Sequence, residues 1–329
     1  MIARLAHVAP HVFVVVGAGA IGGVVGARLV QGGHDVLLVA HGAHGEAIAE
    51  RGLTIEDPAG TATLGIPVVS DASEVDYHDG DITLLCVKTQ DTVGALASIR
   101  RGGGAAVPIA CLQNGVANEP MALRVSPSVY GVAVMCPGEH LTPGVVAAYS
   151  APKTGILDLG RYPAGPPDDA VETVAAAFRD AEFLSEIVPD IMRAKYSKLL
   201  MNLGNAIEVV CGTGNDGGLF EMAHHEGTEI LAAAGIGFDD EVDPRDDQMR
   251  MHRAAGRRRE GGSTWQSVHR GLGTVETDYL SGEIVLTARR LGLDAPVNRV
   301  LQELSARVAA GEVAPGSLAP EYVISRMLR

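Results

Sequence analysis

Residues 12–22 read VFVVVGAGAIG, an apolar run that leads directly into a glycine-rich turn. The run Val12–Val16 predicts a buried strand, and the pattern at Ile21–Gln31 predicts a helix. Between them, Gly17-Ala18-Gly19-Ala20-Ile21-Gly22 matches G-x-G-x-x-G in the strand–turn–helix context that gives this motif its meaning. The turn therefore predicts a dinucleotide phosphate site, because the free amides and the dipole of a helix N-terminus attract anions.

Each glycine has a separate role in such a turn. Gly17 allows the tight bend, Gly19 leaves space for the pyrophosphate, and Gly22 lets the helix pack against the strand. Glycine-rich turns are common, so a tight turn without a ligand and a methyltransferase-like glycine loop remain alternatives. The residues predicted to bind the phosphates are Gly17, Ala18, Gly19, Ala20, Ile21 and Gly22.

The residues after the second predicted strand, Asp35–Val39, bear on the choice of cofactor. An acid there would bind a ribose 2′-hydroxyl, and an arginine would accept a 2′-phosphate. This chain has Ala40-His41-Gly42-Ala43-His44 instead. The lack of an acid favours NADP(H), although no arginine is present. His41 or His44 could donate to a phosphate, and a solvated loop histidine is the alternative for each.

Composition and charge exclude several classes of protein. A chain of 329 residues with 47% hydrophobic residues can bury a large core and suggests two domains. The formal net charge of −14 repels nucleic acid. Four dispersed cysteines without a C-x-x-C pair indicate neither a metal site nor a disulfide framework, which fits a reducing cytoplasm. The apolar stretch Val12–Ala27 is too short and too glycine-rich to span a membrane.

Alternating strand and helix patterns predict βαβ units on a parallel sheet in the first part of the chain. Loops or hairpins are expected at 56–80, and an antiparallel extension at 145–159 around a turn at Pro152. A helix is predicted at Asp168–Asp180, and long helical patterns follow Pro189. We place the domains at 1–187 and 188–329. The strands are predicted at Val12–Val16, Asp35–Val39, Asp81–Val87, Val107–Leu112 and Val129–Val134.

Five spaced motifs together resemble the ketopantoate reductase family, over most of the chain. They are the glycine turn, Cys86-Val87-Lys88-Thr89, Gln113-Asn114-Gly115, Lys198-Leu199-Leu200-Met201-Asn202 and Glu276-Thr277-Asp278-Tyr279. The resemblance implies an α/β fold, with an N-terminal Rossmann dinucleotide-binding domain and an all-helical C-terminal domain. It also implies NADP(H)-dependent reduction of a small 2-oxo acid in a cleft between the domains, as in pantothenate biosynthesis. The long apolar C-terminal helices could bury a homodimer interface or form core.

By this resemblance Lys198 is the general acid, which protonates the carbonyl oxygen as hydride reaches the carbon. The chemistry needs such a donor because a developing alkoxide is costly. Lys198 and Asn202 are four residues apart and share one helix face, with Asn205 close to it. An apolar helix over 198–210 would lower the pKa of the lysine by dehydration. A lysine extending into solvent at a helix end is the alternative.

The remaining site residues are assigned by the same resemblance. Glu276 is the substrate-binding carboxylate and joins Lys198 and Asn202 as a catalytic residue. His41, Lys88 and Asn114 are further predicted cofactor-binding residues, and Lys88 and Asn114 follow predicted strands closely enough to lie at the rim of the sheet. Substrate-binding residues are Asn114, Asn202, Asn205, Ser263, Thr264 and Glu276. Ser263 and Thr264 could equally be helix N-caps, and Lys88 and Asn114 could be a surface lysine and a turn residue.

Several departures from the family pattern lie on the substrate side. The family has a second asparagine eight residues after the lysine, where this chain has Ala206, so we expect a shifted helix register or a one-residue deletion after Lys198. Glu260 stands where the family can carry an asparagine, and Trp265 is bulkier than usual. A different 2-oxo acid, or a carbonyl compound of secondary metabolism, is therefore an alternative substrate. A non-catalytic NADP(H)-binding regulatory protein and a related dehydrogenase acting on alcohols, amino acids or imines also stay open.

Overall fold

The computed structural model describes residues 11–214, 216–239, 243–259, 261–269, 271 and 275–327. These fall into two compact units that are interleaved along the chain. The first contains 11–113, 117–192 and 243–259, and the second contains 114–116, 193–239 and 261–327 within the described ranges. The domain boundary between residues 187 and 188, placed from the sequence, stays a prediction. Across the described residues, no helix combines the length and apolarity needed to span a membrane.

The first unit mixes strands and helices. Its elements, in chain order, are β1 (Phe13–Val16), α1 (Ala20–Gln31), β2 (Val36–Val39), α2 (Gly42–Arg51), β3 (Leu53–Asp57), β4 (Gly60–Leu64), β5 (Val68–Val69), β6 (Ile82–Leu85), α3 (Thr92–Arg101), β7 (Ile109–Cys111), α4 (Asn118–Ala122), β8 (Val129–Met135), β9 (Gly138–Thr142), β10 (Val145–Ala148), β11 (Ser150–Pro152), β12 (Gly155–Tyr162), α5 (Asp169–Asp180), β13 (Phe183–Leu184) and β14 (Met249–Met251).

The main sheet has eight strands in the order β13-β12-β8-β7-β6-β1-β2-β5. All neighbours are parallel except β12 and β8, which are antiparallel. The five predicted strands are confirmed, because strands buried on both faces of a parallel sheet are continuous apolar runs. The two predicted helices are also confirmed, as α1 and α5. The strand order reverses beside β1, which pairs with β2 on one side and β6 on the other. Open α/β sheets bind ligands at such a switch point, beyond the carboxyl ends of the strands.

Apolar side chains cover both faces of this sheet. Val24, Val25 and Leu29 of α1 pack with Phe13 and Val15 on one face. The other face buries Val12, Val14 and Val16 against α3, through Leu96 and Ile99. This two-sided burial gives β1 a rigid carboxyl end, from which the glycine turn starts.

A second sheet was only partly anticipated. Its order is β4-β3-β10-β9, with a β3–β4 hairpin as expected for residues 56–80 and with β10 parallel to β3. The antiparallel strand expected near 154–159 exists as β12, but it pairs with β8 and not with the run 145–149. The expected turn at Pro152 is wrong, because Pro152 lies in β11, which pairs with β14. Pairing of distant segments leaves no periodic signal in either strand.

The regular elements in the described residues of the second unit are helices, with no strand among them. Its elements are α6 (Ile191–Asn202), α7 (Gly204–Cys211), α8 (Leu219–Ala233), α9 (Ser263–His269), a 3₁₀ turn (Glu276–Tyr279), α10 (Ser281–Arg290), α11 (Pro296–Ala309) and α12 (Pro320–Met327). The continuous helix predicted over 198–210 is wrong, because α6 ends at Asn202 and α7 begins at Gly204. Glycine lowers helix stability, and a Cβ at Gly204 would already contact the ring of Phe220 at 3.4 Å.

Candidate active site

The glycine turn bends tightly at Gly17 and packs closely at Gly22. Gly17 has φ +98°, and its N–H donates to the Val39 carbonyl oxygen at 3.0 Å. A Cβ at Gly22 would lie 2.1 Å from the Gly17 oxygen, so this glycine is required by the packing itself. A Cβ at Gly19 would meet no atom of the described residues within 4 Å. The missing side chain at Gly19 therefore leaves open space, which is the room a dinucleotide needs.

The helix that follows is prepared for an anion. Gly19 is the N-cap residue of α1, and as a glycine it has no side chain to cap the first amides. The first turn also carries no acidic residue. Ala18 is buried, while Ala20 and Ile21 are half-exposed and apolar, so these residues can offer only backbone groups. An uncapped helix N-terminus beside open space fits the phosphates of a dinucleotide.

A half-buried cysteine lies directly behind this turn. The Cβ of Cys86 would be 2.8 Å from a Cβ placed at Gly22. Burial, and to a lesser extent the neighbouring Cys136, raise the pKa of the Cys86 thiol. Cys86 therefore stays protonated at neutral pH and adds no negative charge near the phosphate site.

The structure separates the two histidines that follow β2. His41 is exposed at the N-cap of α2 and makes no capping hydrogen bond, so its ring faces solvent where a ribose phosphate would be recognised. His44 is engaged instead. Its Nε2 is 2.8 Å from the Ala18 carbonyl oxygen, and its Nδ1 accepts from the Gly144 N–H at 2.9 Å. His44 is therefore not available as a phosphate ligand.

An open groove of about 900 Å³ lies beside His41 on the first unit. Its lining includes Glu46, Glu74 and Asp76, which make this surface acidic. The described part of the chain shows no group of three or more His, Cys, Asp or Glu side chains placed to hold a metal ion.

Lys88 and Asn114 follow adjacent strands, as the sequence predicts. Lys88 comes three residues after β6 and is half-buried at the start of a 3₁₀ turn. Asn114 comes three residues after β7 and belongs to the second unit, where Asn202 donates to its Oδ1 at 3.1 Å. Two of the three asparagines predicted to bind substrate are thus neighbours, although 88 residues separate them in sequence.

The helical unit holds the predicted acid and carboxylate. Lys198 is half-exposed on α6, and Asn202 is buried at the end of the same helix. Asn205 is half-exposed on α7, so the break at Leu203 removes it from the helix that carries the other two. Glu276 is 7% exposed at the start of its 3₁₀ turn. A carboxylate this deeply buried needs a partner, which fits a role beyond solubility.

The serine segment is described only in part. Thr264 is fully buried on α9, and its hydroxyl has no hydrogen-bond partner in the described part of the chain. A buried hydroxyl with unused capacity is compatible with a ligand contact. The side chain of Ser263 and the whole of Glu260 lie outside the described residues. Asp278 accepts from Gln302 at 2.8 Å, which is a structural contact.

Glu208 is a residue of this unit that sequence reasoning missed. Its carboxylate oxygens accept from the Gly262 N–H at 2.9 and 3.1 Å, just before α9 begins. The Trp265 ring packs over Gly261, where a Cβ would come within 2.6 Å of it. A signal was present, since Glu208 is the one charged residue in the otherwise apolar run 206–211.

The comparisons with known proteins place these residues in a family. The profile described as Ketopantoate reductase PanE/ApbA matches residues 13–163, and the one described as Ketopantoate reductase PanE/ApbA C terminal matches 190–309. The chain belongs to the ketopantoate reductase family. As a member of this family it is an oxidoreductase that uses a nicotinamide dinucleotide.

Relatives and solved structures of the ketopantoate reductase family match over nearly the whole chain. A 2-dehydropantoate 2-reductase of Pyrococcus horikoshii is 31% identical over 88% of this chain and 95% of its own length. One of Halobacterium salinarum is 31% identical over 88% and 96%. The crystal structure of a PanE/ApbA family ketopantoate reductase from Ralstonia eutropha covers 92% of this chain and 99% of its own, with 26% identity and a TM-score of 0.76.

Proposed function

We propose that this protein reduces the carbonyl of a small 2-oxo acid with NADPH, and that its substrate is 2-dehydropantoate or a closely related acid. The observation that carries the proposal is the turn at Gly19, an uncapped helix N-terminus beside open space in a chain of the ketopantoate reductase family. The relatives at 31% identity are 2-dehydropantoate 2-reductases, which supports the substrate class.

The proposed chemistry assigns one role to each side chain. A nicotinamide dinucleotide, when bound, supplies the hydride that reaches the carbonyl carbon. The ammonium of Lys198 gives its proton to the carbonyl oxygen, so the product is an alcohol and the lysine is left as a neutral amine that water reprotonates. Asn202 and Asn114 donate to the substrate oxygens, and Glu276 accepts from a substrate hydroxyl. Lys88 is proposed at the cofactor, and Asn205, Ser263 and Thr264 at the substrate carboxylate.

The preference for NADPH rests on the end of β2. No acid follows this strand or occupies the first turn of α2, so nothing there would repel a 2′-phosphate directly, and exposed His41 can donate to it. The acids Glu46, Glu74 and Asp76 along the adjoining groove oppose this preference. Comparing kcat/KM for NADPH with kcat/KM for NADH tests the preference. A higher value for NADH would contradict the proposed use of NADPH. A homodimer and a cytoplasmic location stay predictions from the sequence.

The test of function is oxidation of NADPH with a panel of 2-oxo acids that includes 2-dehydropantoate. Lys198→Ala should lower kcat by about 10²–10⁴ while leaving the cofactor Kd nearly unchanged, because general-acid catalysis acts only in the transition state. Lys153→Ala, at a lysine of the first unit without a proposed role, serves as the control. Unchanged turnover in Lys198→Ala would remove this residue from the mechanism. Cofactor binding without turnover on any acid would favour the regulatory alternative.

A further inference from the structure

We propose that His44 is a positioning residue for the phosphate-binding turn: it fixes the peptide between Ala18 and Gly19 and thereby sets the direction of the Gly19 N–H. The inference rests on the proposed function, since it concerns how the same turn binds NADPH. It also explains why the second of two histidines after β2 faces the protein and not the solvent.

The hydrogen bonds of His44 define one tautomer. The Gly144 N–H points at Nδ1 from 2.9 Å, so Nδ1 must act as an acceptor and carry no proton. The proton is then on Nε2, which donates to the Ala18 carbonyl oxygen at 2.8 Å. The neutral ring thus links two backbone groups that lie 126 residues apart in the sequence.

Fixing the Ala18 carbonyl also fixes the next amide. In a trans peptide the C=O and the N–H point in opposite directions from one rigid plane. With the Ala18 oxygen held by His44, the Gly19 N–H is directed away from the ring. Gly19 is the N-cap residue of α1 and is bordered by open space, and glycine has unusual backbone freedom. A restraint on this peptide therefore prepares one of the amides that a pyrophosphate would meet.

His44 is itself held by the second sheet. Gly144 lies in the turn between β9 and β10, and its carbonyl oxygen accepts from the Thr54 N–H at 2.8 Å. The ring of His140 on β9 packs against the His44 ring, with centroids 4.1 Å apart. The His44 side chain that restrains the turn is thus itself held in place by a hydrogen-bonded sheet.

Three substitutions of His44 test its two hydrogen bonds separately. A glutamine places an amide donor where Nε2 was but offers nothing at Nδ1, whereas an asparagine reaches only the Nδ1 position. Alanine removes both. We expect His44→Gln to bind NADPH within about threefold of the wild type, and His44→Asn and His44→Ala to bind about tenfold more weakly or worse, as loss of roughly 1.4 kcal/mol would give. At saturating NADPH, kcat should stay within about twofold, because only cofactor binding is affected.

Direct titration of NADPH by fluorescence and steady-state kinetics provide the two measurements. The control is His225→Gln, the same change at an exposed histidine of α8 that pairs with Glu229 on the surface. Thermal unfolding without cofactor checks that each variant folds. Comparing His44→Gln with His44→Asn removes general destabilisation from the argument, since both lose the imidazole.

The outcomes separate this inference from the proposed function. If His44→Gln binds as weakly as His44→Ala, the bond to Ala18 does not set the affinity and the inference is overturned. Wild-type affinity in His44→Ala would overturn it as well. A wild-type protein that binds neither NADPH nor NADH would overturn the proposed function, and the inference with it.

Discussion

At the scale of single residues, two glycines of one motif have different physical roles, one in packing and one in leaving space. Gly22 is required by the fold, because a Cβ there would be 2.1 Å from the Gly17 oxygen and 2.8 Å from the Cys86 Cβ. Among the described residues, Gly19 has no neighbour within 4 Å of a Cβ placed on it, and its φ of −69° is negative, so no left-handed conformation requires a glycine there. Gly22 is thus needed for packing, and Gly19 leaves the space that we propose for the pyrophosphate.

This difference predicts opposite results for two similar variants. Gly19→Ala should leave the free protein as stable as the wild type or slightly more so, because alanine reduces the entropy of the unfolded chain. Its added methyl occupies the space proposed for the pyrophosphate, so the NADPH Kd should rise by about tenfold or more. Gly22→Ala should lower both stability and affinity. Thermal unfolding and NADPH titration check this, and a strongly destabilised Gly19→Ala would contradict it.

The glycine motif could be predicted from the sequence, but the contacts of His44 that hold the turn could not. Gly17, Gly19 and Gly22 were assigned from local spacing. The structure shows the bend at Gly17 and the close packing at Gly22, and the role of Gly19 at a pyrophosphate stays a prediction. His44 and His41 were equivalent in the sequence because both follow β2. What separates them is the Gly144 N–H, 100 residues away, together with the Ala18 oxygen. Local patterns carry no information on such contacts.

At the scale of elements, a buried arginine ties α1 to the second sheet. Arg28 is 7% exposed. Its Nη2 donates to Asp57 at 2.8 Å and its Nε to Thr154 at 2.9 Å, while Nη1 bonds Gln31 on the same helix at 2.8 Å. Asp57 ends β3, and Thr154 directly precedes β12. One guanidinium therefore joins three elements, with every bond charge-assisted.

Removing this arginine should be costly. Arg28→Ala leaves Asp57 buried without its cation, and breaking one side of a buried ion pair costs about 3–5 kcal/mol. The control is Arg51→Ala, which removes an exposed pair with Glu50 and should cost at most about 1 kcal/mol. Urea unfolding of both variants measures the difference. A loss of less than about 1 kcal/mol in Arg28→Ala would show that the pair is not stabilising.

Elements defined by local periodicity were predictable, and those defined by distant partners were not. The parallel strands and the helices α1 and α5 have continuous apolar runs, cap residues and glycine boundaries within their own sequence. Strand β10 pairs with β3 about ninety residues earlier, so its place in a second sheet could not be read from its four residues. The break at Leu203 was missed because the apolar pattern continues through it. Only Gly204 marks it, and a single glycine is a weak signal.

At the scale of the whole molecule, a segment near the C-terminal part of the chain belongs to the first unit. Residues 243–259 belong to this unit, although 193–239 belong to the other. Strand β14 pairs with β11, the His252 N–H donates to the Tyr149 oxygen at 2.7 Å, and Arg257 forms an ion pair with Glu56. Near the start of the segment, Arg245 binds Asp158 and Asp243, and hydrogen bonds to these carboxylates raise the pKa of its guanidinium further above its usual value.

Arg245 is therefore predicted to fasten this returning segment to the first unit. Asp158 is 9% exposed, and Arg245→Ala would leave its carboxylate buried without a cation. The segment should then open more often, and trypsin should cleave after exposed Arg250 and Arg253 faster by on the order of tenfold. Limited digestion followed by mass spectrometry identifies these cuts, and the substitution removes only the site at 245 itself. Arg299→Ala, at a surface ion pair with Glu303, provides the matched control. Equal cleavage rates at 250 and 253 in the two variants would mean that strand pairing with β11, and not the Arg245–Asp158 pair, holds the segment in place.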